Sequence, residues 1–505
     1  MMYDLVYRRA RLSPDHLAAE DLYDGTRYTY RSLNERAARF AAAACEVWGL
    51  HEGDRVAWLG HNCAEFFAML FGCAKAGLIL VPLNWRLAVP ELDALLQDAQ
   101  PRVLIHTDDF AETAALLAAR HSGLLQVGMT RGDGLIRDYA ADLAAVTPDL
   151  APHPERSADT PWYLLYTSGT TGKPKGVIQT FAMMLANYWN IGVAVGLSGR
   201  DTLLNVLPMF HTAGINLYST CMFLVGGSVL VRRQFDPGLA LQILKTRATV
   251  FFGVPAIYQA LLQHPEFDPR QLQQQMRSWG CGGAALPVEV ARHYHEHGIL
   301  IRTGMGMTEA GPTVFLLDEK QVPHKPGSVG QAQLCVDVRV VDGKGNDVPV
   351  GEAGELWIRG PGITPGYWQN EAATREAILP GGWLRSGDIV RCDEDGDFYI
   401  VDRAKDMFIS GGENVYPAEV EAVLLQYPAI IEVAVVGVSD KRWGEVGQAH
   451  LVMAAGQPMP DEQALRAFCR ERLAGYKVPK HFIVRNVLPR NALGKVIKQE
   501  LRDER

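Results

Sequence analysis

No two of the eight cysteines in this 505-residue chain form a CxxC pair; they fall singly at 45, 63, 73, 221, 281, 335, 392 and 469. Scatter of that kind reads as reduced, mostly buried thiols, and a cytoplasmic location is expected. Long apolar runs are also missing. The most membrane-like stretch, FFAMLFGCAKAGLILVPL at 66–83, is cut by Lys75, and Gly77 and Pro82 make it a buried helix, a turn and a strand. The first ten residues, MMYDLVYRRA, carry no apolar signal core, so secretion is not expected. Positive charge is in deficit, with 49 Lys and Arg against 57 Asp and Glu and a formal charge of −8. That balance argues against nucleic acid as a general partner and against a strong pull to anionic membranes. No low-complexity tract and no internal repeat stand out.

What remains is an ordinary globular balance, 48% apolar and 21% charged, long enough for two to four domains with buried cores. Asp24-Gly25 between apolar runs reads as a hairpin turn. Ser32 and Glu35 are spaced as a capping box for a helix running to about Trp48 and closed by Gly49. Strand-like VAWL (56–59), LILV (78–81) and VLIH (103–106) alternate with helical stretches after Asn62 and Pro90. Such alternation indicates an α/β layered fold with a largely parallel sheet. Residues 140–160, rich in Ala, Asp and Pro, form a connector. From 330 to 404 short strands such as VDVRVV (336–341) and ELWIRG (355–360) suggest a small β subdomain. A helix from Pro417, VAVVGV (433–438), a helix from about Asp461 and FIVR (482–485) make a compact C-terminal α+β unit.

The stretch that carries chemistry is YTSGTTGKPKGV, 166–177. By itself a Gly/Ser/Thr run marks a surface loop. Here glycines that let a phosphate approach the amides stand among Thr167, Ser168, Gly169, Thr170, Thr171 and Gly172, followed by Lys173 and Lys175. It is not a P-loop, which needs four residues between its glycines and Ser or Thr after the lysine. Only Thr170 and Thr171 separate the glycines, and Pro174 disfavours a helix starting at Lys173. Further along come LPMFHTAG with His211, GCGGAALP (280–287), GMGMTEAGP (304–312), GWLRSGD ending at Asp388, IVDRAKDMFISGGENVYP (400–417) and LPRNALGKVIK with Lys495. His293 and His297 lie one helical turn apart, but without an HExxH pattern they read as solvent-exposed histidines.

The dodecapeptide at 166–177 closely resembles the signature of the acyl-adenylate-forming superfamily of acyl-CoA synthetases, carrier-linked adenylation domains and firefly-type luciferases. The other motifs follow in that family's order, from about residue 10 to 500. The resemblance implies a large adenylation domain over 1–404, with layered α/β subdomains and a small β subdomain, and a small mobile α+β domain over 405–505 hinged at Lys405. It implies an ATP site of Thr167 to Lys173, Lys175, Gly283, Met305, Gly306, Met307, Asp388 and Arg403, the last two on the ribose. Thr308 matches a threonine that contacts the adenylate phosphate, Glu309 the acid associated with Mg²⁺, and Lys495 the lysine of the adenylation step. Ser410, Gly411, Gly412 and Glu413 match the loop that meets the thiol arm of coenzyme A. His211 borders the acyl pocket, with Asn216, Gly280, Gly304 and Gly311 as neighbours. Met305 departs from the family's usual aromatic, and Phe181 stands where many relatives have His.

The reaction so implied is an AMP-forming acid–CoA ligation using ATP, Mg²⁺ and coenzyme A, with a homodimer among the assemblies open to it. LPMFHTAG lacks the aspartate that amino-acid-activating domains use, and no cation near GCGGAALP or Gly304 would hold a second carboxylate. MTEAGPTVF and the SGGENVYPAE–WGE pattern look most like bacterial medium-to-long-chain acyl and hydroxycinnamoyl CoA ligases, and a glycine-lined pocket favours a planar ring. Transfer to a carrier protein, a luciferase-like oxygenation and a ligand sensor without turnover are the alternatives.

Overall fold

The computed structural model describes residues 1–129, 137–167, 174–403, 406–410, 413–440, 443–454, 456–457, 460–473, 475–490 and 496–503, with the backbone alone at 402, 403, 409, 413, 414 and 444. The chain forms two compact units, Met1–Val338 with Ile358–Leu384, and Arg339–Trp357 with Arg385–Arg505.

The first unit is built on two large sheets. One has seven strands, in the spatial order Arg137–Asp138, Leu125–Gly128, Val103–His106, Arg55–Leu59, Ile79–Pro82, Pro161–Thr167 and Lys175–Thr180. All its neighbours are parallel except the last pair, an antiparallel hairpin. The other has nine strands, with a parallel centre of Ser228–Val231, Thr202–Asn205, Val250–Gly253, Ser278–Cys281 and Ile301–Gly306. Strands Leu17–Asp21 and Arg27–Thr29 close one edge through the turn containing Gly25. The near-continuous apolar runs of central strands such as Val103–His106, Ser228–Val231 and Val250–Gly253 are what strands covered on both faces require.

The helix Glu65–Ala76 is buried on every face, which is why its sequence resembles a membrane span. The Trp162 indole donates to the Leu70 carbonyl at 2.8 Å, and Phe67 and Phe71 pack edge-on against Phe223. Gly72 lets it approach the helix Tyr30–Ala42, because a Cβ there would lie 2.5 Å from the Phe40 ring. Its single cation, Lys75, is paired at 2.6 Å with the buried Asp4. Glu65 at its start accepts hydrogen bonds from Tyr28, Tyr139 and Arg36. Among the described residues no helix is long and apolar enough to cross a membrane.

One local expectation needs correction. The helix begins at Tyr30, and the reciprocal capping box is Thr29 with Ser32, three residues before the expected Ser32–Glu35 pair. Strand Arg27–Thr29 runs straight into it, and Tyr30 is fully buried, so burial of the tyrosine sets the start. The helix ends as a wider π turn over Ala43–Val47, and Gly49 follows with a positive φ of 65°.

In the second unit, a sheet of Glu413–Val415, Phe408–Ser410, Gly444–Met453, Ile430–Asp440 and His481–Arg485 carries the helices Pro417–Leu424 and Glu462–Arg470. Phe408, Val420, Leu424, Val435, Leu451, Leu465 and Phe482 form its core. The unit also holds the pairing of Trp383–Cys392, from Arg385 onward, with Phe398–Arg403. The hinge expected at Lys405 lies outside the described residues.

Candidate active site

The glycine-rich stretch joins two antiparallel strands. Thr167 and Lys175 are register partners at the end of the hairpin formed by Pro161–Thr167 and Lys175–Thr180. A P-loop joins a strand to a helix, so this strand-to-strand topology is not that of a P-loop. Ser168, Gly169, Thr170, Thr171, Gly172 and Lys173 themselves lie outside the described residues. The strands are anchored behind the tip: Tyr166 donates to Asp98 at 2.6 Å, and Trp368 N–H donates to the Gly176 carbonyl at 2.7 Å.

The segment Thr308–Ala310 is a single turn held against that hairpin. Gln179, fully buried, donates through Nε2 to the Thr308 carbonyl at 2.9 Å. Thr364 N–H donates to the Glu309 carbonyl at 2.8 Å, and Thr364 Oγ1 donates to the Ile178 carbonyl at 2.7 Å. Three separated pieces of chain, 175–180, 308–309 and 364–368, are thereby brought together. Tyr367 joins them by its side chain as well. Its hydroxyl donates to Glu309 Oε1 at 3.0 Å, and the Lys175 ammonium lies 5.0 Å from its ring centroid. Burial first, and the Glu309 carboxylate second, push the phenol above its ordinary value, so it faces Glu309 as a donor.

Among the described residues no group of three or more His, Cys, Asp or Glu converges as a metal cage. The donor available beside the hairpin is one buried carboxylate, Glu309. That suits magnesium, which is commonly held by one or two carboxylates with substrate phosphates and water completing the shell.

Met305 and Gly306 end the strand Ile301–Gly306, half-buried and exposed, respectively. Gly304 and Gly306 pair with Leu316 and Thr313; a Cβ at Gly304 would lie 2.7 Å from the Phe315 carbonyl oxygen. Met307 N–H donates to the Pro312 carbonyl at 3.0 Å. Gly311 is tied down by Asn216, whose Nδ2 donates to its carbonyl while Oδ1 accepts from Thr220 at 2.7 Å. Asn216 is fully buried, and both ends of its amide are engaged. Gly280 is buried in the strand Ser278–Cys281 against two aromatic rings. A Cβ there would lie 2.6 Å from Phe252 Cδ2 and 3.1 Å from the Tyr218 hydroxyl, and those rings pack edge-to-face at 5.7 Å. Gly283 begins the next turn with φ of 81°.

His211 packs on Phe210 at 4.5 Å, its Nε2 sealed from solvent without a hydrogen-bond partner among the described residues. Burial, with the Arg86 guanidinium second, pushes it down to about 3. The imidazole is therefore neutral at any physiological pH. His293 and His297 are exposed, as expected, with Nδ1 of His297 2.8 Å from the His293 carbonyl oxygen.

In the second unit, Asp388 and Arg403 are cross-strand register partners. Gly387 turns the chain with φ of 68°, and the buried Asp388 receives its backbone fix from Ser386 Oγ at 3.1 Å. Ser410 is buried at the end of the strand Phe408–Ser410 and is the register partner of Glu413. Gly411, Gly412 and Lys495 lie outside the described residues.

Comparison with known proteins agrees with this arrangement. The family model for the AMP-binding enzyme matches residues 6–368, and that for the AMP-binding enzyme C-terminal domain matches 419–495. The chain belongs to the AMP-binding enzymes. A feruloyl-CoA synthase of Amycolatopsis sp is 42% identical over 98% of this chain and 97% of its own. A long-chain-fatty-acid–CoA ligase of Mycobacterium tuberculosis is 36% identical over 99% and 97%. The o-succinylbenzoate CoA synthetase of Bacillus subtilis, solved with its acyl-adenylate intermediate, superposes with a TM-score of 0.88 at 29% identity, covering 100% of this chain and 99% of that one. This AMP-binding enzyme is an AMP-forming acid–CoA ligase that uses ATP, Mg²⁺ and coenzyme A.

Two residues of the assembled site escaped sequence reading. Tyr367 sits in GITPGYW, which reads as a turn, and Gln179 sits mid-strand. Neither carries a periodic or charge signal, and their partners are 58 and 129 positions away.

Proposed function

We propose that the acid is a hydroxycinnamate of the ferulate or coumarate type. The observation that carries this reading is the 42% identity, over nearly the full length of both chains, with a feruloyl-CoA synthase. A fatty acid is the second reading, favoured by the 36% identity with a long-chain ligase. Transfer of the acyl group to a carrier protein would share the first half-reaction.

In the first half-reaction a carboxylate oxygen attacks the α-phosphorus of ATP, a bond to phosphorus forms, and pyrophosphate leaves. Thr167, Lys175 and the hairpin tip between them hold the phosphates; Thr308 meets the α-phosphate. Glu309 would hold Mg²⁺, which when bound would supply positive charge against the phosphate oxygens. Asp388 accepts the ribose hydroxyls, Arg403 supports it, and Lys495 sits where charge shifts during attack. Met305 covers the adenine with its polarisable thioether. His211, uncharged, borders the acyl group and takes no proton. The 405–505 domain then turns about Lys405, and the loop from Ser410 to Glu413 admits coenzyme A. Its sulfur attacks the acyl carbonyl and AMP leaves. Catalysis rests on positioning and charge stabilisation, with no nucleophilic side chain.

The test is thioester formation across ferulate, coumarate, benzoate and C4 to C16 fatty acids. Highest kcat/KM on a hydroxycinnamate is the expected result. A best substrate among C12 to C16 acids would replace it with the fatty-acid reading.

A further inference from the structure

The Tyr367 side chain is the one described link between the cationic and the acidic group of the phosphate site. It touches both at once, Glu309 through its hydroxyl at 3.0 Å and Lys175 through its ring face at 5.0 Å. Its own position is over-determined. Tyr367 forms an isolated bridge with Val177, its N–H donates to Thr374 Oγ1 at 2.9 Å, and the next residue is bonded to Gly176. Gly366 is held by the same framework, its carbonyl accepting from Ile178 N–H at 3.1 Å. The main chain that carries the ring is thus fixed to the hairpin, while the ring's two partners are side chains with several rotatable bonds.

Without that ring, Lys175 and Glu309 carry opposite charges and long reach on neighbouring pieces of chain. A direct ion pair between them would withdraw both from a nucleotide. The phenol offers each a weaker, geometrically separate partner. A cation over an aromatic face and a hydroxyl donating to a carboxylate leave both charges in place.

We propose that Tyr367 is a positioning residue that keeps Glu309 and Lys175 apart and aimed, so that magnesium and the polyphosphate meet a preset site. This rests on the reading of Glu309 as the magnesium-holding acid. Tyr367 itself touches neither reacting atom. Its two contacts separate by substitution: Tyr367→Phe removes the bond to Glu309 and keeps the ring under Lys175, whereas Tyr367→Leu removes both.

The experiment is calorimetric binding of ATP across a magnesium titration, on wild type, Tyr367→Phe, Tyr367→Leu and Glu309→Gln, with the thermal midpoint of each recorded. Loss of a hydrogen bond to a charged group predicts about a tenfold rise in the magnesium concentration at half-effect for Tyr367→Phe. The Leu variant should show the same magnesium shift and in addition bind ATP several-fold more weakly at saturating magnesium, as loss of a cation–π contact implies. A magnesium shift in Glu309→Gln with none in Tyr367→Phe would overturn the positioning role and leave the Glu309 reading standing. No shift in either variant would overturn both. A lowered thermal midpoint in Tyr367→Phe without a magnesium shift would make Tyr367 merely structural. Should the Leu variant fail to fold, the Phe variant alone decides.

Discussion

Thr167 and Lys175 face each other as the last register pair of an antiparallel strand pair, so the glycine-rich stretch connects strand to strand and not strand to helix. Phosphate binding at a helix N-terminus draws on the helix dipole. A hairpin tip has no such dipole, and lysine charge has to supply more of the attraction.

Lys175→Ala is therefore expected to weaken ATP by about tenfold to a hundredfold, the worth of a lost charge-assisted contact of ~1.5–3 kcal/mol. Pyrophosphate exchange at varied ATP measures it, and the thermal midpoint should stay within a few degrees of wild type. An unchanged KM for ATP would remove Lys175 from the phosphate site.

Asp388 is buried directly after a positive-φ glycine, and its backbone N–H donates to Ser386 Oγ, which fixes the main chain from which its carboxylate projects. If it accepts the ribose hydroxyls, Asp388→Ala should bind ATP about tenfold or more weakly, while 2′,3′-dideoxy-ATP loses little between the two proteins. Competition binding with both nucleotides reads this. Equal losses for both would place the defect in the fold.

The layered α/β architecture was legible in the sequence because strands such as Val103–His106 are buried on both faces and read as unbroken apolar runs. The helix Glu65–Ala76 was legible too, since Lys75 and Gly77 mark its end. The start of the helix at Tyr30 was not. Thr29 and Ser32 cap each other, and the choice between that pair and Ser32 with Glu35 depends on burial of Tyr30 against the far side of the unit, where its hydroxyl donates to the Gly227 carbonyl at 2.7 Å. At the site, Glu309 and Lys175 announced themselves by charge in familiar company. Tyr367 and Gln179 did not, because their function is contact with those residues and no local pattern encodes a contact across 58 or 129 positions.

His211 gives a pH prediction with a definite sign. An unfolded histidine takes up a proton near pH 6.5, whereas folded His211 does so only at about 3. Its neutral form thus adds stability above about pH 6.5, and that contribution is lost as the pH falls, by up to about 1.4 kcal/mol per unit. Burial also lowers His61 and His106, which steepens the acid limb in any variant that keeps them. Urea unfolding between pH 6.5 and 5 should show a slope shallower by about 1 kcal/mol per unit in His211→Gln than in wild type. Identical slopes would mean that the ring is already solvated.

Lys75 and Asp4 form a buried pair at 2.6 Å, and the Asp4 side chain also accepts from Tyr7 N–H at 3.1 Å and His153 N–H at 3.2 Å. Lys75→Met leaves a buried carboxylate without its cation and should cost about 3–5 kcal/mol. Asp4→Asn combined with Lys75→Met removes both charges and retains a side-chain acceptor for the helix cap, so most of that loss should return. Chemical denaturation of the three proteins checks it; additive losses would show that the two charges do not depend on each other.

The most direct measurement is a rapid-quench experiment with Mg·ATP and ferulate in the absence of coenzyme A. A burst approaching one pyrophosphate and one feruloyl-adenylate per chain, converted to feruloyl-CoA and AMP when coenzyme A is added, is the predicted result. Pyrophosphate released only when coenzyme A is present, or ADP in place of AMP, would contradict it.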